Sequence, residues 1–401
     1  MTSFDPQSIL SKRTSSVEEI AIIAMSQKAR DLKAEGHDVL SLTIGEPDFD
    51  TPEHIRRAAY KAMNDGYTHY APIPGMPELR KALAKKLKDE NALNYDWSEI
   101  VISNGAKQSI TNAIYATIDE GDEVILLAPY WAAYEGTIAM AGGRSKVIYA
   151  GLEDNFKVSA DRLKAAMSDK TKLVIINSPN NPTGAMFSRQ ELQAIAKVIC
   201  AHPRAMVISD EIYEYIQFGQ PHVSIGTMEG MASRTITING FSKGFAMTGW
   251  RLGYAAAPAP VAKAMAKVQG TFTAGANAFV QMAAVTALEG SRKEVEQMRQ
   301  IYQDRRDLVV AGLNAIDGIK VPNPPGTFYV FADVSAMLGK TVSNHKINTV
   351  DELCNWLLEV HHVATVPGSA FGDNKALRIS FATSTDVLTR AIKRIARAFN
   401  P

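Results

Sequence analysis

The sequence predicts an α/β protein, with a large α/β domain built on a central, mostly parallel sheet and a smaller α+β domain after it. Strand, turn and helix patterns alternate between residues 99 and 240, which favours parallel strands joined by crossover helices. Past Gly318 the pattern changes to short strands separated by helices, which indicates the second domain. The chain has 401 residues, 46% of them hydrophobic and 21% charged, a profile typical of a globular protein of two or three domains.

Composition and charge exclude several classes of function. The formal net charge of +1 gives no electrostatic reason to bind nucleic acid or an anionic membrane, so we expect neither partner. Cys200 and Cys354 show no metal-binding or redox spacing, which favours a reducing, cytoplasmic location and no metal site. The charged N-terminus lacks the apolar core of a signal peptide, and the longest apolar run, residues 124–134, is too short to span a bilayer.

The chain begins with a mixed arm and a helix. The run Ser15-Ser16-Val17-Glu18 is a capping-box pattern that opens a helix. A short strand is expected over residues 39–44, followed by a loop dense in turn residues. Thr51 is then expected to cap a helix that has Pro52 at its first position and runs to about Asn64.

Residues 66–77 form a long loop, GYTHYAPIPGMP, which carries Tyr67 and Tyr70. Loops this rich in proline and glycine that also carry aromatic side chains are often functional rather than simple connections. A solvent-exposed loop whose tyrosines only fill gaps is equally compatible with the sequence. A helix is predicted directly after it, from Glu78.

A possible anion site follows the strand predicted for residues 99–103. Its turn contains Gly105, Ala106 and Lys107, and an apolar helical pattern begins directly after them. The free amide groups and the dipole of a helix N-terminus attract anions, and Lys107 would add a positive charge. Most turns of this kind bind nothing, so the motif is weak by itself.

Two further strand ends carry side chains suited to a ligand. Trp131 follows the strand of residues 123–128 and could stack on a flat heterocycle, although core packing is the commoner role of a tryptophan. Asn181 lies in the loop of residues 178–184, SPNNPTG, whose two prolines prevent a helix. In α/β sheets, loops beyond the carboxyl ends of the strands bind ligands.

Asp210 follows the apolar strand predicted for residues 205–209. A buried carboxylate is costly unless it has a cationic partner, and a protonated pyridine nitrogen is one such partner. Tyr213, three residues on, could reach an oxygen on the same ring. Two alternatives are a helix N-cap aspartate and a metal site, the latter without supporting histidines.

The stretch from residue 235 to residue 254, TITINGFSKGFAMTGWRLGY, places Lys243 just after a strand and Arg251 eight residues later. A lysine there suits an amine that forms a Schiff base with a carbonyl, and an arginine nearby suits a phosphate. An aldehyde with a phosphate suggests pyridoxal 5′-phosphate (PLP). One rival is the G-x-S-x-G motif of serine hydrolases, centred on Ser242. The other is an ordinary surface lysine, with Arg251 in a salt bridge.

The rest of the sequence completes the helices and the smaller domain. Helical patterns cover residues 259–287 with a break at 270–275, 292–315, 351–359 and 384–398, and short strands are expected at residues 328–332, 363–366 and 377–381. Arg378 alternates with Ile379 and Phe381 in the last strand. It could face a cleft and grip a carboxylate through two hydrogen bonds, or lie on an exposed strand face.

Taken together, these motifs resemble the class I aminotransferases of fold type I, which are PLP-dependent, and most of all the aspartate aminotransferase group. The similarity covers nearly the whole chain, through GEPDFDTP, YAPIPGMPELR, SNGAKQS, PYW, NSPNNPTG, DEIYE, NGFSKGFAMTGWRLGY, PGSAFG and LRISFA. It implies an arm and helix over residues 1–44 that belong to the small domain. It also implies a large PLP-binding domain over residues 45–290 and a small C-terminal domain over residues 291–401.

The resemblance also implies roles for the catalytic residues. Lys243 resembles the Schiff-base lysine that also shuttles the proton. Asp210 resembles the aspartate that keeps the ring nitrogen protonated, and Tyr213 the phenol on the ring hydroxyl. Trp131 resembles the aromatic side chain that stacks on the ring and lines the substrate site. Asn181 is similar to the asparagine that touches both the ring hydroxyl and the substrate carboxylate.

Further implied roles concern the phosphate, the substrate and the partner subunit. The phosphate-binding positions fall on four residues: Gly105, Ala106, Lys107 and Arg251. Tyr70 matches a tyrosine that reaches the phosphate of the neighbouring subunit, which implies a homodimer with shared active sites. Arg378 resembles the arginine that grips the substrate α-carboxylate, and Gly45 lines the same pocket. The chain departs from many relatives at Gly240, where they have a phosphate-binding serine.

The implied reaction transfers the amino group of L-aspartate, or of a similar L-amino acid, to 2-oxoglutarate by ping-pong kinetics. Lys107 could then face the second carboxylate of a dicarboxylic substrate. Alternatives within PLP chemistry are a β-lyase and an aminotransferase for aromatic, prephenate-type or aliphatic substrates. The remote alternative, a serine hydrolase, needs a histidine near Ser242, and the candidates are His345, His361 and His362.

Overall fold

The computed structural model describes residues 5–15, 17, 21–342 and 345–399. A seven-stranded sheet with helices packed against it forms the large domain, and a three-stranded sheet with long helices forms the core of the smaller one. The predicted α/β class, with a mostly parallel central sheet and a smaller α+β unit, is confirmed. The domain boundaries at residues 44/45 and 290/291 stay a prediction.

The strands, numbered along the described chain, are β1 (Leu40–Ser41), β2 (Ile100–Ser103), β3 (Glu123–Ala128), β4 (Arg144–Tyr149), β5 (Thr171–Asn177), β6 (Met206–Asp210), β7 (Thr235–Gly240), β8 (Gly253–Ala256), β9 (Tyr329–Asp333), β10 (Lys340–Val342), β11 (His345–Ile347), β12 (Val363–Ala364), β13 (Val366–Pro367) and β14 (Ala376–Ser380). The helices are α1 (Lys12–Ser15), α2 (Ala21–Ala34), α3 (Glu53–Asn64), α4 (Pro77–Asn91), α5 (Ala106–Thr117), α6 (Ala133–Met140), α7 (Ala160–Ala166), α8 (Arg189–Cys200), α9 (Ala259–Phe272), α10 (Ala278–Glu289), α11 (Lys293–Asn314), α12 (Val350–His361) and α13 (Thr385–Phe399).

The large sheet has the strand order β2-β8-β7-β6-β5-β3-β4. Its neighbouring strands are parallel except around β8, which is antiparallel to both β2 and β7. The middle strands β5, β6 and β7 are buried along almost their whole length, which explains the apolar runs in β5 and β6 and the β-branched residues of β7. Because these three strands run in one direction, their carboxyl ends, at Asn177, Asp210 and Gly240, meet at the same edge of the sheet.

The smaller domain corrects one strand prediction. The single strand expected over residues 363–366 is two short strands that belong to different sheets. β12 pairs in parallel with β1, whereas β13 pairs with β14, which in turn pairs with β9. Thr365 lies between β12 and β13, where the chain passes from one sheet to the other. The pairing of β1 with β12 attaches the segment before residue 45 to the C-terminal part of the chain.

The start of α3 also differs from expectation. Thr51 does not cap the helix, because its hydroxyl donates a hydrogen bond to the backbone oxygen of Ala246 at 2.6 Å instead. The N-cap position is Pro52, which makes no side-chain capping bond. Thr51 therefore ties the loop after β1 to the segment that carries the candidate lysine.

The predicted capping box covers residues 15–18; Ser15 ends α1, whereas Ser16 and Glu18 lie outside the described residues. Helix α2 begins at Ala21 in the described part of the chain. Among the helices that the structure describes, none combines the length and the apolar character needed to cross a membrane.

Candidate active site

A cleft of about 300 Å³ lies at the carboxyl edge of the large sheet, between it and the smaller domain. It is lined by ten of the residues singled out from the sequence: Gly45, Ala106, Lys107, Trp131, Asn181, Asp210, Tyr213, Lys243, Arg251 and Arg378. Gly105 lies immediately behind this lining, because a Cβ atom there would come within 2.6 Å of Nη2 of Arg251. Residues scattered over more than 300 positions of sequence thus meet around one cavity.

Lys243 lies in the turn after β7, and its side chain is partly exposed to the cleft. Its Nζ donates a hydrogen bond to the backbone oxygen of Gly45. Burial lowers the pKa of Lys243 to about 8, while the carboxylate of Glu46 opposes this shift. A substantial fraction of the amine is therefore neutral near pH 8, and a neutral amine can act as a nucleophile or as a base.

Asp210 ends β6 and is only 3% exposed. Its Oδ2 accepts a hydrogen bond from Oη of Tyr134 at 2.6 Å, and its Oδ1 accepts one from the amide of Ile212 at 3.3 Å. Burial raises the pKa of Asp210 to about 6, while the bond from Tyr134 works in the opposite direction. No α-helix follows Asp210 among the described residues before residue 259, which removes the helix N-cap alternative.

Tyr213 follows on the same side of the cleft. Its Oη lies 3.0 Å from Oη of Tyr329. Burial, followed by the neighbouring Tyr329, raises the pKa of Tyr213 well above its usual value. Tyr213 is therefore a neutral phenol at physiological pH and can donate a hydrogen bond to an oxygen in the cleft.

One end of the cleft is built for an anion. Helix α5 begins there with Gly105 as its N-cap, at φ +88°, and no side chain caps its free amides. Arg251 and Lys107 line the same region. Burial, together with the nearby charge of Arg251, lowers the pKa of Lys107. Two cations beside an uncapped helix N-terminus are complementary to a multiply charged anion such as a phosphate.

At Gly240 the backbones of β7 and β8 lie too close together for a serine side chain. It pairs with Gly253 across the antiparallel strands β7 and β8. A Cβ atom at residue 240 would lie 2.9 Å from the Cα of Gly253 and 3.0 Å from the backbone oxygen of Leu252. The backbone approach fills the space that a serine side chain would need, so the anion end depends on Arg251, Lys107 and helix amides.

The opposite end of the cleft holds Arg378, which is only 1% exposed. Its Nη1 donates to Oδ1 of Asn181 at 3.0 Å, and its Nη2 donates to the backbone oxygen of Thr43 at 2.7 Å. The guanidinium carbon lies 4.4 Å from the ring centre of Tyr329. The exposed-strand alternative for Arg378 is therefore wrong, since β14 is buried along its whole length. A fixed, buried guanidinium of this kind suits the carboxylate of an amino acid.

Trp131 lines the cleft next to Lys107. Its ring lies edge-on to Tyr134, with ring centres 5.4 Å apart, and Nζ of Lys107 lies 5.5 Å from its centre. The indole thus has one edge fixed by packing while it lines the cleft. This arrangement is compatible with stacking on a flat ring.

Tyr70 does not line this cleft and is 98% exposed. The loop that presents it is nevertheless well anchored. Gln269 donates to the backbone oxygen of Ile73 at 2.6 Å, and Gln281 accepts from the amide of Met76 at 2.8 Å. Within this chain, the exposed side chain of Tyr70 therefore does not contact the cleft that the other predicted site residues line.

Three residues of the site were missed by the sequence analysis: Tyr134, Asn177 and Tyr329. Tyr134 bonds Asp210, Tyr329 contacts both Tyr213 and Arg378, and Asn177 accepts from the amide of Asn181 at 2.7 Å. Asn177 could have been found, because it is the last residue of β5 at the ligand edge. The local sequence around Tyr134 and Tyr329 does not indicate their roles, because each contacts its partner residues only in the folded structure.

The serine hydrolase alternative fails on geometry. Ser242 lines the cleft, but no histidine does so in the part of the chain that the structure describes. His361 instead packs against Trp356, with ring centres 4.6 Å apart, and His362 stacks on His37 at 4.7 Å. The segment after Ser242 forms turns rather than the helix that a nucleophile elbow requires.

The donor set fits PLP. An aldehyde needs an amine, which Lys243 offers, and a cationic ring nitrogen needs a buried carboxylate, which Asp210 offers. A phosphate dianion matches the helix N-terminus with Lys107 and Arg251. Arg378 remains free to bind a separate carboxylate at the other end.

Comparison with known proteins gives a consistent result. The sequence model for aminotransferase class I and II matches residues 37–395. A probable aspartate/prephenate aminotransferase from Rhizobium leguminosarum bv. phaseoli is 45% identical over 391 residues, 97% of this chain and 98% of the relative. The crystal structure of the aspartate aminotransferase from Rhizobium meliloti is similar with a TM-score of 0.96 at 41% identity, covering 99% of both chains. The aspartate aminotransferase from Thermus thermophilus, solved with maleate, gives a TM-score of 0.92 at 40% identity, with 97% and 99% covered.

Proposed function

The chain belongs to the aminotransferase class I and II family, and from this we propose that it transfers the amino group of L-aspartate to 2-oxoglutarate, with PLP as its cofactor. The observation that carries the proposal is the cleft itself. It brings Lys243 and Asp210 together with two sets of cations, Arg378 on one side and the neighbouring Lys107 and Arg251 on the other, and the charges of both arginines act on Lys243. The family is PLP-dependent, and the donor set of this cleft matches that cofactor.

Five groups of this chain would hold PLP. The α5 amides and Arg251 would bind the phosphate, Asp210 the ring nitrogen, Tyr213 the ring hydroxyl, and Lys243 the aldehyde carbon through its amine. When bound, the cofactor supplies an acceptor for the amino group and a cationic ring that draws electrons from the substrate α-carbon.

Lys243 then moves the proton. Its neutral Nζ accepts the proton from the α-carbon of the amino acid and later donates it back to the reacting atoms. The depressed pKa of about 8 suits this exchange, because the group can both take up and release a proton near neutral pH. Asp210 stays ionised beside a cationic ring, which maintains the electron demand that makes the α-proton acidic.

Arg378 and Asn181 would orient the substrate. The guanidinium binds the α-carboxylate, and the side chain of Asn181, already bonded to Nη1 of Arg378, fixes the position of that guanidinium. Lys107 would bind the second carboxylate of a dicarboxylic substrate, because it presents a cation to the cleft that it lines. The aspartate aminotransferases among the relatives, including one solved with maleate, support a dicarboxylic substrate.

A second candidate substrate is prephenate, as the amino-group acceptor. It is supported by the names of several relatives of 40–45% identity, which are aspartate/prephenate aminotransferases. We also propose a cytoplasmic homodimer in which Tyr70 of each subunit reaches the phosphate site of the other. The 98% exposure of Tyr70 on an anchored loop supports this arrangement.

The visible absorption spectrum of the purified protein with PLP tests the function. A cofactor band that is bleached by L-aspartate and restored by 2-oxoglutarate is the expected result. If prephenate also restores the cofactor band, prephenate is a second amino-group acceptor. Bleaching by aromatic or aliphatic amino acids but not by aspartate would overturn the substrate assignment, and the absence of any band with added PLP would overturn the cofactor assignment.

A further inference from the structure

Tyr134 and Asp210 form a buried hydrogen-bonded pair beside the cleft. Oη of Tyr134 donates to Oδ2 of Asp210 at 2.6 Å, and the two residues are 1% and 3% exposed. They come from different elements, since Tyr134 lies in the first turn of α6 and Asp210 ends β6. Because the phenol is almost inaccessible to water, removal of its hydroxyl would leave the buried side of the Asp210 carboxylate without a partner.

The bond leaves the carboxylate able to bind a further partner. Oδ1 accepts from the backbone amide of Ile212 at 3.3 Å, a longer contact than the one to Tyr134. An ionised carboxylate has about four acceptor sites, and Asp210 lines the cleft. Asp210 is thus held by protein groups and can still accept a hydrogen bond from a cationic N–H in the cleft.

The electrostatics around Asp210 show what this hydrogen bond contributes. The titratable groups that face the carboxylate are Tyr134 from α6, Tyr213 and Glu211 from its own segment, and Lys243 from the turn after β7. Burial raises the pKa of Asp210 to about 6, and Glu211 raises it further, whereas Tyr134 and Lys243 lower it. Without the phenol, a larger fraction of Asp210 would be a neutral acid at physiological pH, unable to stabilise a cationic ring.

Tyr134 also fixes a second wall of the cleft. Its ring meets the indole of Trp131 edge to face, with an interplanar angle of 87°. The same side chain therefore touches the residue expected beneath the ring nitrogen and the residue expected to stack on the ring.

We propose that Tyr134 is a positioning residue for the cofactor, whose hydroxyl keeps Asp210 ionised and oriented and whose ring fixes Trp131. The inference rests on the proposed PLP-dependent function and deepens it. It assigns to Tyr134 a role that does not require contact with the substrate.

The test compares Tyr134→Phe with the wild type, first without cofactor. Carbon NMR of aspartate-labelled apoprotein reports the pKa of Asp210, with Asp210→Asn identifying the signal. We expect the pKa of Asp210 to rise by about one unit in Tyr134→Phe. The affinity for PLP, measured by equilibrium dialysis below pH 6, should then fall by up to about tenfold, because about one tenth as much of Asp210 is ionised there. In the holoenzyme kcat should fall more than KM rises, because Arg378 is untouched.

Tyr95→Phe is the matched control. Tyr95 is a partly buried tyrosine, with Oη 3.3 Å from Oγ1 of Thr237, but it does not line the cleft. The Tyr95→Phe substitution should leave both the Asp210 pKa and the affinity for PLP unchanged. Tyr134→His, which keeps a ring and an N–H donor, covers the case in which the phenylalanine variant does not fold. In that case, an Asp210 pKa in Tyr134→His that is close to the wild-type value supports the proposal.

The outcomes separate the two proposals. An unchanged Asp210 pKa and unchanged PLP affinity in folded Tyr134→Phe would overturn the role of Tyr134. A raised pKa and weakened affinity in Tyr134→His, equal to those in folded Tyr134→Phe, would also overturn it, since a hydrogen-bond donor would then make no difference. A wild-type protein that does not bind PLP at all would instead overturn the proposed function.

Discussion

Arg378 donates a hydrogen bond from Nη1 to Oδ1 of Asn181 at 3.0 Å, although 197 residues separate them in the chain. The amide of Asn181 donates to Oδ1 of Asn177 at 2.7 Å, and Nδ2 of Asn177 donates to the backbone oxygen of Asp210 at 2.9 Å. One chain of hydrogen bonds thus links the arginine at the carboxylate end of the cleft to the aspartate at its base. The smaller domain, which supplies Arg378, is fastened to the ends of β5 and β6 through this chain.

Replacement of Lys243 tests the central amine. In Lys243→Ala we expect kcat for transamination to fall about a thousandfold or more, because positioned acid–base catalysis alone contributes about 10²–10⁴. PLP should still bind without a covalent bond, through Arg251 and Asp210. Steady-state kinetics and dialysis measure the two effects, and Lys393→Ala, an exposed lysine of α13, is the control. Normal turnover in Lys243→Ala would disprove the mechanism.

Arg378→Lys tests carboxylate recognition. Lysine keeps the charge but loses the planar pair of donors, so one charge-assisted hydrogen bond, worth about 1.5–3 kcal/mol, is lost. KM for both aspartate and 2-oxoglutarate should therefore rise at least about tenfold, with the fold checked by circular dichroism. A KM that stays at the wild-type value for both substrates would remove Arg378 from substrate binding.

Lys107→Gln tests whether the cation of Lys107, which lines the cleft, recognises the distal group of the substrate. We expect a raised KM for aspartate, about fivefold or more from the loss of a charge-assisted hydrogen bond, and little change for alanine or phenylalanine. Half-reactions with each amino acid, followed by the bleaching of the cofactor band, give the comparison. Equal effects on all three amino acids would mean that Lys107 serves the cofactor rather than substrate specificity.

The reaction of apoprotein with PLP should depend on pH through Lys243. Burial lowers the pKa of this amine to about 8, so it is mostly protonated below pH 8 and mostly neutral above it. Because only the neutral amine attacks an aldehyde, the rate of covalent capture should rise about tenfold per pH unit well below pH 8 and level off above it. Stopped-flow absorbance measures this profile, and a midpoint near the ordinary lysine value of 10.5 would contradict the depressed pKa.

The lowered pKa of Lys243 also makes the stability of the folded protein depend on pH. Between pH 8 and 10.5 the folded protein has released the Lys243 proton while the unfolded chain still holds it. The Lys243 contribution to the free energy of unfolding therefore increases with pH across this window. The difference between wild type and Lys243→Met in urea denaturation at pH 7.5 and pH 9.5 isolates this contribution. A difference with no pH dependence would show that the native amine titrates as it does in the unfolded chain.

Gly240→Ser tests the close approach of β7 and β8. The new Cβ would lie 2.9 Å from the Cα of Gly253, a backbone atom that cannot move aside without shifting the strand. We expect the free energy of unfolding to fall by about 1–3 kcal/mol, as for other overpacked sites. Gly249→Ser is the control, because nothing lies within 4 Å of a Cβ atom there. Equal stability of the two variants in urea denaturation would show that the strands can separate at no cost.

Much of this site could be predicted because its parts follow strand ends. A run of apolar residues that stops at Asp210, and a strand of alternating threonine and isoleucine that ends shortly before Lys243, mark the edge of a parallel sheet from local sequence alone. The loop around Asn181 and the uncapped turn at Gly105 have the same kind of local signal. The fold class and the family were accessible for this reason, and both are confirmed.

The sequence by itself therefore determined the strands, the loops that follow them and the residue types those loops present. Only the tertiary structure decided which distant side chains support them: Tyr134 beneath Asp210, Tyr329 between Tyr213 and Arg378, and Thr51 against Ala246 rather than at a helix cap. It also decided that residues 363–366 divide between two sheets and that no side chain fits at Gly240. The physical reason is that strand and turn patterns arise from neighbouring residues, whereas these contacts join residues that lie far apart in the chain, up to 195 positions, or depend on how closely two backbones approach.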